Sequence, residues 1–365
     1  MAAAESDFHN LTVSSIKADT ENARVVSFDI PDNLKPAFEF RAGQYITLEH
    51  VIDGHSVRRS YSICSAPGDP KLQIGVKRVE GGVFSTFVNT ALQAGDVVKV
   101  LPPRGNFFTP LDPQQSKNYL FIAAGSGITP VLSLIKTSLS VEPNSRATLI
   151  YGNQSTATMM FKNELSFVKN RFMSRLHWIN IYSRQPQPAP LLNGRIDNKK
   201  GGELNKSLID LAGFDDFFLC GPESMISEVS RGLTAFGIGN DRIHYELFAT
   251  SAEDAKRIIA KHHARAVKFK GKTSRIELIK GGREYHFELS RDGENLLDAG
   301  ISQGADLPFS CKAGICATCK CKLVSGEVEM DIDHGLQESE VREGYILGCQ
   351  AHPVSDTVRV DFDQY

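Results

Sequence analysis

Four cysteines near the carboxyl end of the sequence have the type and spacing of metal ligands. Cys311, Cys316 and Cys319 are separated by four and two residues, and Cys349 comes thirty positions later. This C-x4-C-x2-C…C pattern is typical of the thiolates that hold a plant-type [2Fe–2S] cluster. A zinc site is the alternative, but structural zinc usually takes a second C-x2-C pair or histidines, and the sequence has no second C-x2-C. The pattern therefore predicts a [2Fe–2S] cluster at these four residues.

Two further residues in this segment fit the same interpretation. Gly314 lies inside the loop and allows the backbone conformations that wrapping a cluster demands. Cys321 follows Cys319 at C-x-C spacing and is surplus to the four ligands, so we expect it to be a small strand residue.

A second group of chemically suited residues lies on a predicted strand in the first third of the chain. Arg59, Tyr61 and Ser62 present a cation, an aromatic face and a hydroxyl at close intervals. A flavin dinucleotide needs all three, for its pyrophosphate, for its isoalloxazine ring and near its N5 atom. This strand therefore predicts one wall of a flavin site.

A glycine pair follows at a suitable distance. Gly81 and Gly82 open a predicted helix that runs past Ser85 to Leu92. Glycines expose backbone N–H groups, and the start of a helix favours a pyrophosphate. A glycine pair after a strand is usually just a turn, but both motifs in one segment predict bound FAD.

A third set of candidates lies where predicted apolar strands end. Gly125 and Gly127 occur in the run Gly-Ser-Gly-Ile-Thr-Pro, where glycine lets a phosphate or a nicotinamide approach the backbone. Another strand ends at Cys220, and Gly221 and Pro222 begin the helix that follows. Ligands collect at the carboxyl ends of strands in open α/β sheets, so these residues predict a nucleotide site.

The elements that would position these residues fall into successive blocks, which we expect to be separate domains. Residues 1–110 show short β-branched runs between turn residues, which favours an antiparallel FAD-binding β-barrel. Residues 111–248 alternate strands with helices, as in a parallel-sheet nucleotide-binding α/β domain. Residues 249–273 form a basic linker, and residues 274–365 combine strands and a helix in an α+β, β-grasp-like [2Fe–2S] ferredoxin domain. The predicted strands are Arg24–Ile30, Tyr45–Val51, Arg58–Cys64, Leu72–Val79, Asp96–Leu101, Tyr119–Ala124, Ala147–Tyr151, Leu176–Tyr182, Asp216–Cys220, Ile243–Phe248, Arg275–Ile279, Glu284–Glu288 and Val358–Phe362.

The linker has features of its own. Ser251 and Asp254 have capping-box spacing ahead of a short predicted helix at Ala255–His263. His262 and His263 are expected to lie on a solvated helix face and not to bind metal. Charge is uneven here, because residues 249–273 carry a net charge of +5 and residues 274–365 a net charge of −8. The linker is either simply solvated, or its positive charge helps to hold the acidic segment 274–365 against the rest of the chain.

Composition excludes several classes of protein. A chain of 365 residues suits two or three domains, and a net charge of −2 argues against general affinity for nucleic acid. The start of the sequence has neither the basic nor the apolar region of a signal peptide, and the longest apolar run is broken by glycines and a proline. We therefore expect no membrane span. Seven cysteines, four of them better used as thiolates than as disulfides, favour the reducing cytoplasm.

The whole chain resembles ferredoxin–NADP reductase-like flavoproteins fused to a carboxyl-terminal plant-type ferredoxin. The matching motifs, besides the four cysteines, are Arg59-x-Tyr61-Ser62, Gly81-Gly82-x-x-Ser85, Ala124-Gly-Ser-Gly-Ile-Thr-Pro130, Cys220-Gly-Pro222 and Glu246-x-Phe248. More narrowly, Ile150-Tyr-Gly-Asn153, Met159-Met-Phe161, Gly194-Arg-Ile-Asp197 and Cys319-Lys-Cys-Lys322 look like the reductase subunits of phenylacetyl-CoA ring-1,2-epoxidase complexes. Reductases of ketosteroid hydroxylases and of hybrid-cluster proteins share the layout.

The resemblance implies roles for individual residues. The FAD contacts would be Arg59, Tyr61 and Ser62, with Ser62 near flavin N5, Val76 and Lys77 along the ribityl or adenylate part, Gly81, Gly82 and Ser85 at the pyrophosphate, and Phe248 at the closed end of the flavin site. Thr129 would lie near the nicotinamide, with Cys220 behind its reactive carbon, and Glu246 would join Ser62 and Cys220 in catalysis. Cys220 could instead be an inert buried cysteine, and Glu246 and Phe248 ordinary strand residues.

The preferred nicotinamide is also implied by the resemblance. Ser183 and Arg184 resemble the pair that grips the 2′-phosphate in NADPH-dependent relatives, and the guanidinium fork suits that phosphate. Gln154 departs from the pattern, because close relatives carry arginine there. We therefore expect NADPH, with NADH as the alternative.

The implied activity is electron transfer from NADPH through FAD and [2Fe–2S] to an oxygenase partner, with the di-iron phenylacetyl-CoA epoxidase as the first candidate. The potential of a plant-type cluster, roughly −400 mV, is low enough for that task. Alternatively, the electrons follow the same route but are accepted by a Rieske oxygenase, a haem oxygenase or another reductase. A regulatory flavin/iron–sulfur sensor or a zinc-bearing interaction module is a reading from a different class, and a visible spectrum would distinguish it.

Overall fold

The computed structural model describes residues 8–248 and 252–365, with side chains in the second range from Arg257 onward. These residues divide into two compact units, Phe8–Glu246 and Leu247–Tyr365. In the part of the chain described here, no helix is both long and apolar enough to cross a membrane.

The first unit begins with an antiparallel barrel. Its six-stranded sheet has the order β4-β3-β6-β1-β2-β5, and a bridge between Ile63 and Ile74 joins the two outer strands. Cys64 N–H donates to the carbonyl of Gln73 across the same seam, at 2.9 Å. The interior is filled by alternate apolar side chains such as Leu11, and the helix α1 packs beside it. The elements are β1 (His9–Thr20), β2 (Ala23–Asp29), β3 (Tyr45–Ile52), β4 (His55–Ser62), β5 (Leu72–Lys77), α1 (Val83–Thr90) and β6 (Val97–Arg104).

The same unit continues into a parallel sheet of five strands in the order β11-β10-β7-β8-β9. Successive connections run outward from β7 in one direction and then return to its other side, so the strand order reverses between β7 and β10. Such a switch point opens a crevice at the carboxyl ends of the two strands. The elements are β7 (Asn118–Ala124), α2 (Ile128–Val141), β8 (Arg146–Asn153), α3 (Lys162–Arg171), β9 (Leu176–Tyr182), α4 (Asn198–Ser207), β10 (Asp216–Cys220), α5 (Glu223–Ala235) and β11 (Ile243–Glu246).

Polar contacts fix the barrel against the parallel sheet. The Asp19 carboxylate on β1 accepts from the N–H of Phe161, at 2.9 and 3.1 Å to its two oxygens. Ser133 of α2 donates its hydroxyl to the carbonyl of Ser65, at 2.6 Å. Phe161 has a φ of +57°, so its backbone conformation is held by this junction. The barrel residues and the ends of the parallel strands therefore keep a fixed relation.

The second unit is built on a mixed five-stranded sheet in the order β13-β12-β18-β14-β16, in which β12 and β18 are parallel. The helix α7 packs closely on it, because a Cβ on Gly300 would lie 2.7 Å from side-chain carbons of Leu278 and Leu307. This arrangement confirms the predicted β-grasp-like α+β fold. The elements are α6 (Ala252–Lys268), β12 (Thr273–Lys280), β13 (Arg283–Ser290), α7 (Leu296–Ser302), β14 (Lys320–Ser325), β15 (Val328–Met330), α8 (Glu338–Arg342), β16 (Tyr345–Leu347), β17 (Ala351–Pro353) and β18 (Thr357–Asp361).

The helix α6 occupies most of the predicted linker. It is attached through Asp331, the residue after β15, to a separate two-stranded sheet of β15 and β17. The Asp331 carboxylate accepts from the Arg265 guanidinium at 2.6 Å, and from the imidazoles of His262 and His352 at 2.7 and 3.2 Å. Burial acts to raise the pKa of Asp331, but these hydrogen bonds hold it well below its usual range. The side chain of His262 is nevertheless 52% exposed, and His263 is exposed as well, in agreement with the expected solvated helix face. Ser251 lies outside the described residues, as does the side chain of Asp254, so the predicted capping box stays a prediction.

The atoms of His262, Asp331 and His352 that could bind a metal lie within 4.8 Å of one another. The buried Arg265 guanidinium already neutralises the Asp331 carboxylate, and Lys261 donates to the backbone carbonyls of Met330 and Asp331. Arg265 Nη2 and His352 Nδ1 are buried without a partner among the described residues, but neither faces an unpaired carboxylate. A buried carboxylate that is already paired with a guanidinium requires no further cation. We interpret the cluster as the attachment of α6.

Candidate functional site

The four candidate cluster ligands come from two loops of the second unit. Cys311, Cys316 and Cys319 lie between α7 and β14, and Cys349 lies between β16 and β17. The first loop is tightly wound: Lys312, Gly314 and Ala317 have φ values of +51°, +72° and +52°. A Cβ on Gly314 would also lie 3.0 Å from Gln350 Cγ, so glycine is required there by conformation and by space.

The four sulfur atoms fit a group that binds thiolates. Hydrogen bonds from the Cys316 thiol and from backbone amides lower the pKa of Cys311 to about 5, and a hydrogen bond from Cys319 lowers the pKa of Cys349. The same two hydrogen bonds, together with burial, raise the pKa of the donor thiols Cys316 and Cys319 well above the usual value. Ala313 N–H lies 3.3 Å from Cys311 Sγ. Two linked pairs of sulfurs, with amides directed at them, match the donors that an iron–sulfur cluster uses. Cys321, by contrast, is fully buried on β14 within the apolar core, as expected for a strand residue.

Two side chains beside the cysteines were not singled out from the sequence. The Thr318 hydroxyl lies 3.1 Å from Cys316 Sγ, and the Gln350 amide nitrogen lies 3.6 Å from Cys349 Sγ. Both residues are close to a candidate ligand in the sequence, which is the only signal that could have drawn attention to them.

In the first unit, the carboxyl end of β4 presents the candidate flavin residues. Tyr61 packs against Phe84 of α1, with ring centroids 5.9 Å apart, and burial raises the pKa of the Tyr61 hydroxyl. Arg59 is exposed, and its guanidinium donates to the carbonyl of Arg58 at 2.7 Å. A half-buried aromatic face beside an exposed cation suits a ring system joined to a pyrophosphate.

The glycine turn before α1 is braced by Ser85. Its hydroxyl accepts from Val79 N–H at 3.1 Å and donates to the carbonyl of Gly82 at 3.2 Å. Gly81 has a φ of +72°, and a Cβ on Gly82 would lie 2.7 Å from Ser85 Oγ. No side chain caps α1, so the amides of its first turn can face a ligand. Ser85 thus supports the turn whose amides are the candidate pyrophosphate site.

Two candidates at the end of β5 differ in what they offer. Val76 is fully buried in the barrel core, so its side chain offers no exposed surface to a ligand. Lys77 is half-buried, which lowers its pKa, and its amine lies 3.8 Å from the position of a Cβ on Gly125. The Lys77 amine therefore lies close to the glycine turn of the parallel sheet, although Lys77 belongs to the barrel.

The switch point between β7 and β10 brings the candidate nicotinamide residues together. Gly125–Gly127 forms a single 3-10 turn before α2. A Cβ on Gly127 would lie 2.1 Å from the carbonyl oxygen of Cys220, and one on Gly221 would lie 3.1 Å from Ala124 Cβ. Thr129 is buried and donates its hydroxyl to the carbonyl of Ser126 at 2.9 Å, and Pro222 stands at the start of α5. The two strand ends touch through backbone, which leaves the crevice mouth lined by main-chain groups.

Three candidate catalytic residues meet at the next strand end. Ser62 donates its hydroxyl to the Glu246 carboxylate at 3.1 Å, and Glu246 pairs with Cys220 in the sheet. Burial raises the pKa of Glu246 to about 8, against the lowering effect of Ser62. Burial, with a contribution from Glu246, raises the pKa of the Cys220 thiol well above its usual value. At neutral pH this site therefore holds a protonated carboxyl, a neutral thiol and a hydroxyl.

The strand predicted to reach Phe248 ends at Glu246, so that prediction was wrong by two residues. Phe248 belongs to the second compact unit, and 45% of its surface is exposed. Its role toward FAD stays a prediction.

The candidate 2′-phosphate pair follows β9. Ser183 N–H donates to the carbonyl of Asn153 and Arg184 N–H to that of Gln154, both at 2.9 Å. Ser183, Arg184 and Gln154 are exposed. Gln154, where the resemblance implied an arginine, is therefore hydrogen-bonded through its backbone to the candidate Arg184.

An apolar cavity of about 550 Å³ lies elsewhere in the first unit. Phe108, Tyr119 and Phe218 are among its lining residues, and none of the predicted cofactor or nucleotide residues lines it. It is therefore separate from the candidate site.

Family models match each of the three predicted modules. An oxidoreductase FAD-binding domain matches residues 10–108, an oxidoreductase NAD-binding domain matches residues 121–231, and a 2Fe-2S iron-sulfur cluster binding domain matches residues 279–354. The predicted cofactor classes, FAD, a nicotinamide nucleotide and [2Fe–2S], are thereby confirmed.

Relatives extend over nearly the whole chain. One subunit of the 1,2-phenylacetyl-CoA epoxidase of Escherichia coli K12 is 39% identical over 98% of both chains. The ferredoxin reductase component of the 3-ketosteroid-9-alpha-monooxygenase of Rhodococcus rhodochrous is 30% identical over 96% of both. The solved structure of phthalate dioxygenase reductase shares the fold, with a TM-score of 0.57 and 23% identity over 97% of this chain and 98% of that one.

Proposed function

Because the chain belongs to the family of FAD-, NAD- and [2Fe–2S]-containing reductase components of oxygenases, we propose that it supplies electrons from NADPH to a di-iron epoxidase acting on phenylacetyl-CoA. The observation that carries the proposal is the 39% identity, over 98% of both chains, to the epoxidase subunit of Escherichia coli. A ketosteroid monooxygenase is the second candidate client, supported by 30% identity to its reductase. None of the seven cysteines forms a disulfide, which supports a cytoplasmic location.

The residues of the first unit bind and align the two nucleotide cofactors under this proposal. Tyr61 provides a flat face for the flavin, Arg59 a cation for the pyrophosphate, and Gly81 and Gly82 the amides of the helix start. When bound at these residues, FAD would supply hydride acceptance from the nicotinamide, and a [2Fe–2S] cluster at the four cysteines would supply transfer of single electrons. The rigid junction of barrel and sheet holds the two binding surfaces in register, which is what a hydride transfer needs.

The nicotinamide dinucleotide binds in the crevice, against the backbone of Gly125, Gly127, Gly221 and Pro222. Thr129 lies on the side of the crevice that faces the barrel. Ser62, Cys220 and Glu246 form the polar end, where the Glu246 carboxyl holds a proton at neutral pH. In the second unit, Cys311, Cys316, Cys319 and Cys349 are the proposed cluster ligands.

A reconstituted turnover assay tests the proposed client. The purified reductase would be combined with the di-iron epoxidase subunits and NADPH, and epoxidation of phenylacetyl-CoA would be followed against NADPH consumption. We expect coupled product formation, and retention of the epoxidase subunits by the tagged reductase from phenylacetate-grown cells. Coupling to a ketosteroid or Rieske oxygenase, but not to the epoxidase, would overturn the assignment of the client and leave the electron route intact.

Replacing Arg184 by alanine should erode the preference for NADPH. Loss of a charge-assisted phosphate contact costs about 1.5–3 kcal/mol, so we expect KM for NADPH to rise about ten- to a hundredfold while KM for NADH stays unchanged. Steady-state kinetics with ferricyanide as acceptor would measure both. Arg231→Ala, on the exposed side of α5, is the matched control. Equal loss with both nucleotides would contradict the role.

The pH dependence of nicotinamide oxidation should follow Glu246. Because the pKa of its carboxyl is raised to about 8, the group is protonated below that pH and charged above it. A new negative charge opposes the arrival of a hydride, so kcat/KM should be level near pH 7 and fall above pH 8. The raised pKa also means that the folded state loses stability as pH rises from about 4.5 to about 8.

Glu246→Gln should flatten this profile between pH 7 and pH 9, because the amide stays neutral. Glu39→Gln removes an exposed carboxyl of the same unit and should leave the profile as it is in the parent protein. A break near pH 8 that persists in Glu246→Gln would assign the titration to another group.

A further inference from the structure

Gln350 directly follows the proposed ligand Cys349, and only 5% of its surface is exposed. Its amide nitrogen donates to the carbonyl of Lys312 at 3.2 Å and to that of Cys349 at 3.0 Å, and it lies 3.6 Å from Cys349 Sγ. Because all three neighbours are acceptors, the nitrogen of the amide, and not its oxygen, must face them. The nitrogen has two hydrogens, so one hydrogen points to Lys312 and the other is shared by the carbonyl and the sulfur of Cys349.

The backbone of Gln350 is held from both sides. Its N–H donates to the carbonyl of Leu347 at 2.8 Å, and its carbonyl accepts from Asp331 N–H at 3.0 Å. Its Cγ lies against Gly314, in the loop that carries the other three cysteines. The side chain therefore has little freedom to turn its donor away from the sulfur.

The amide oxygen of Gln350 is buried and has no hydrogen-bond partner among the described residues. A buried carbonyl without a partner is unfavourable, and an apolar side chain of similar size would avoid that cost. Packing alone therefore does not account for an amide at this position, whereas a donor directed at a ligand sulfur does.

We propose that Gln350 raises the reduction potential of the cluster by donating a hydrogen bond to the sulfur of Cys349. Reduction adds one negative charge that is shared with the ligand sulfurs, so a donor there stabilises the reduced state more than the oxidised one. The same amide ties Lys312 to Cys349 and so connects the two loops that hold the ligands. Gln350 is thus a positioning residue. This inference rests on the proposed set of four cysteine ligands.

The test is a redox titration of the full-length holoprotein, followed by visible absorption and by the electron paramagnetic resonance of the reduced cluster. Gln350→Leu removes the donor and keeps the volume, and should lower the reduction equilibrium about three- to tenfold, or about 30–60 mV at 59 mV per factor of ten. Gln350→Glu replaces the donor by a negative charge and should lower the potential further. Gln303→Leu, at an exposed glutamine after α7, should titrate like the parent.

Iron content and the visible spectrum test the assignment of the four cysteine ligands separately from the role of Gln350. A parent protein without two irons per chain in a [2Fe–2S] spectrum would overturn the ligand assignment and the inference with it. A Gln350→Leu variant with a full cluster and the potential of Gln303→Leu would overturn the inference alone. Loss of iron from both Gln350 variants would do the same, because Gln350 would then hold the loops together without tuning the cluster.

Discussion

Replacing Cys316 by serine is expected to abolish electron delivery to the oxygenase partner while NADPH still reduces the flavin. Serine cannot supply the thiolate that a [2Fe–2S] site requires, so oxygenase-coupled turnover should fall by about a hundredfold or more. Hydride transfer should survive, because the barrel and the nucleotide crevice lie in the Phe8–Glu246 unit and the cysteine lies in the other. Stopped-flow bleaching of the flavin and the electron paramagnetic resonance of the reduced cluster would follow the two steps separately.

Cys321→Ser provides the matched control in the same module. Cys321 is fully buried on β14 and is not among the proposed ligands, so the variant should keep both irons and transfer electrons, with some loss of thermal stability from the buried hydroxyl. A Cys316→Ser protein with a normal cluster signal would show that the ligand set is wrong. Failure of flavin reduction in the same variant would show that the two units do not work independently.

Replacing Gly127 by alanine should reduce kcat/KM for NADPH about a hundredfold. The new Cβ would lie 2.1 Å from the carbonyl oxygen of Cys220 and 2.8 Å from Gly221 N, and both are backbone atoms that cannot rotate away. Gly127 has a φ of −60°, so the effect would come from crowding and not from conformation. The two strand ends must separate, which costs about 1–3 kcal/mol of stability, and a shift of about 1 Å at a reacting centre costs about a hundredfold in rate.

Thermal unfolding and NADPH kinetics with ferricyanide would measure these effects together. Gly202→Ala is the control, because Gly202 lies within α4 and a Cβ there would have no atom within 4 Å. That variant should be stabilised by about 0.4–1 kcal/mol with unchanged kinetics. Unchanged kcat/KM in Gly127→Ala would mean that the crevice between β7 and β10 is not where the nicotinamide binds.

The sequence predicted elements well where the chain signals are local. The strands Leu176–Tyr182 and Asp216–Cys220 have the predicted bounds, because short apolar runs there stop at polar or glycine-containing turns. β1 was not predicted. It starts with Leu11 and Val13 facing the core, but register shifts after Val13 and after Ala18 break the alternation that would identify it.

Helix α4 shows a second limit of the sequence. Its interior contains Gly201 and Gly202, which disfavour a helix in isolation. It forms because Asp197 caps it by accepting from Lys200 N–H at 2.7 Å and because Leu204 is buried on its inner face. The cap and tertiary packing therefore stabilise a helix that the local propensity of its glycines disfavours.

The candidate site divides in the same way. Cysteine spacing predicts the cluster loop, because all of the signal lies within 39 residues of sequence. The contact between Ser62 and Glu246 spans 184 positions, and no local pattern encodes it. Gln350 carries no motif, and its importance depends on a distance to sulfur that only the fold creates.

The attachment of α6 to Asp331 bears on how such modules can be exchanged between proteins. A ferredoxin portion that begins at residue 274 would keep Asp331 and His352. It would lose Arg265, whose guanidinium neutralises the Asp331 carboxylate, and Lys261, which donates to the carbonyl of Met330. A junction placed ahead of Ala252 would carry the whole helix along with the sheet. Gene fusions that recombine this module with a foreign reductase should therefore succeed when the crossover falls upstream of the helix and produce poorly folding chimeras when it falls after it.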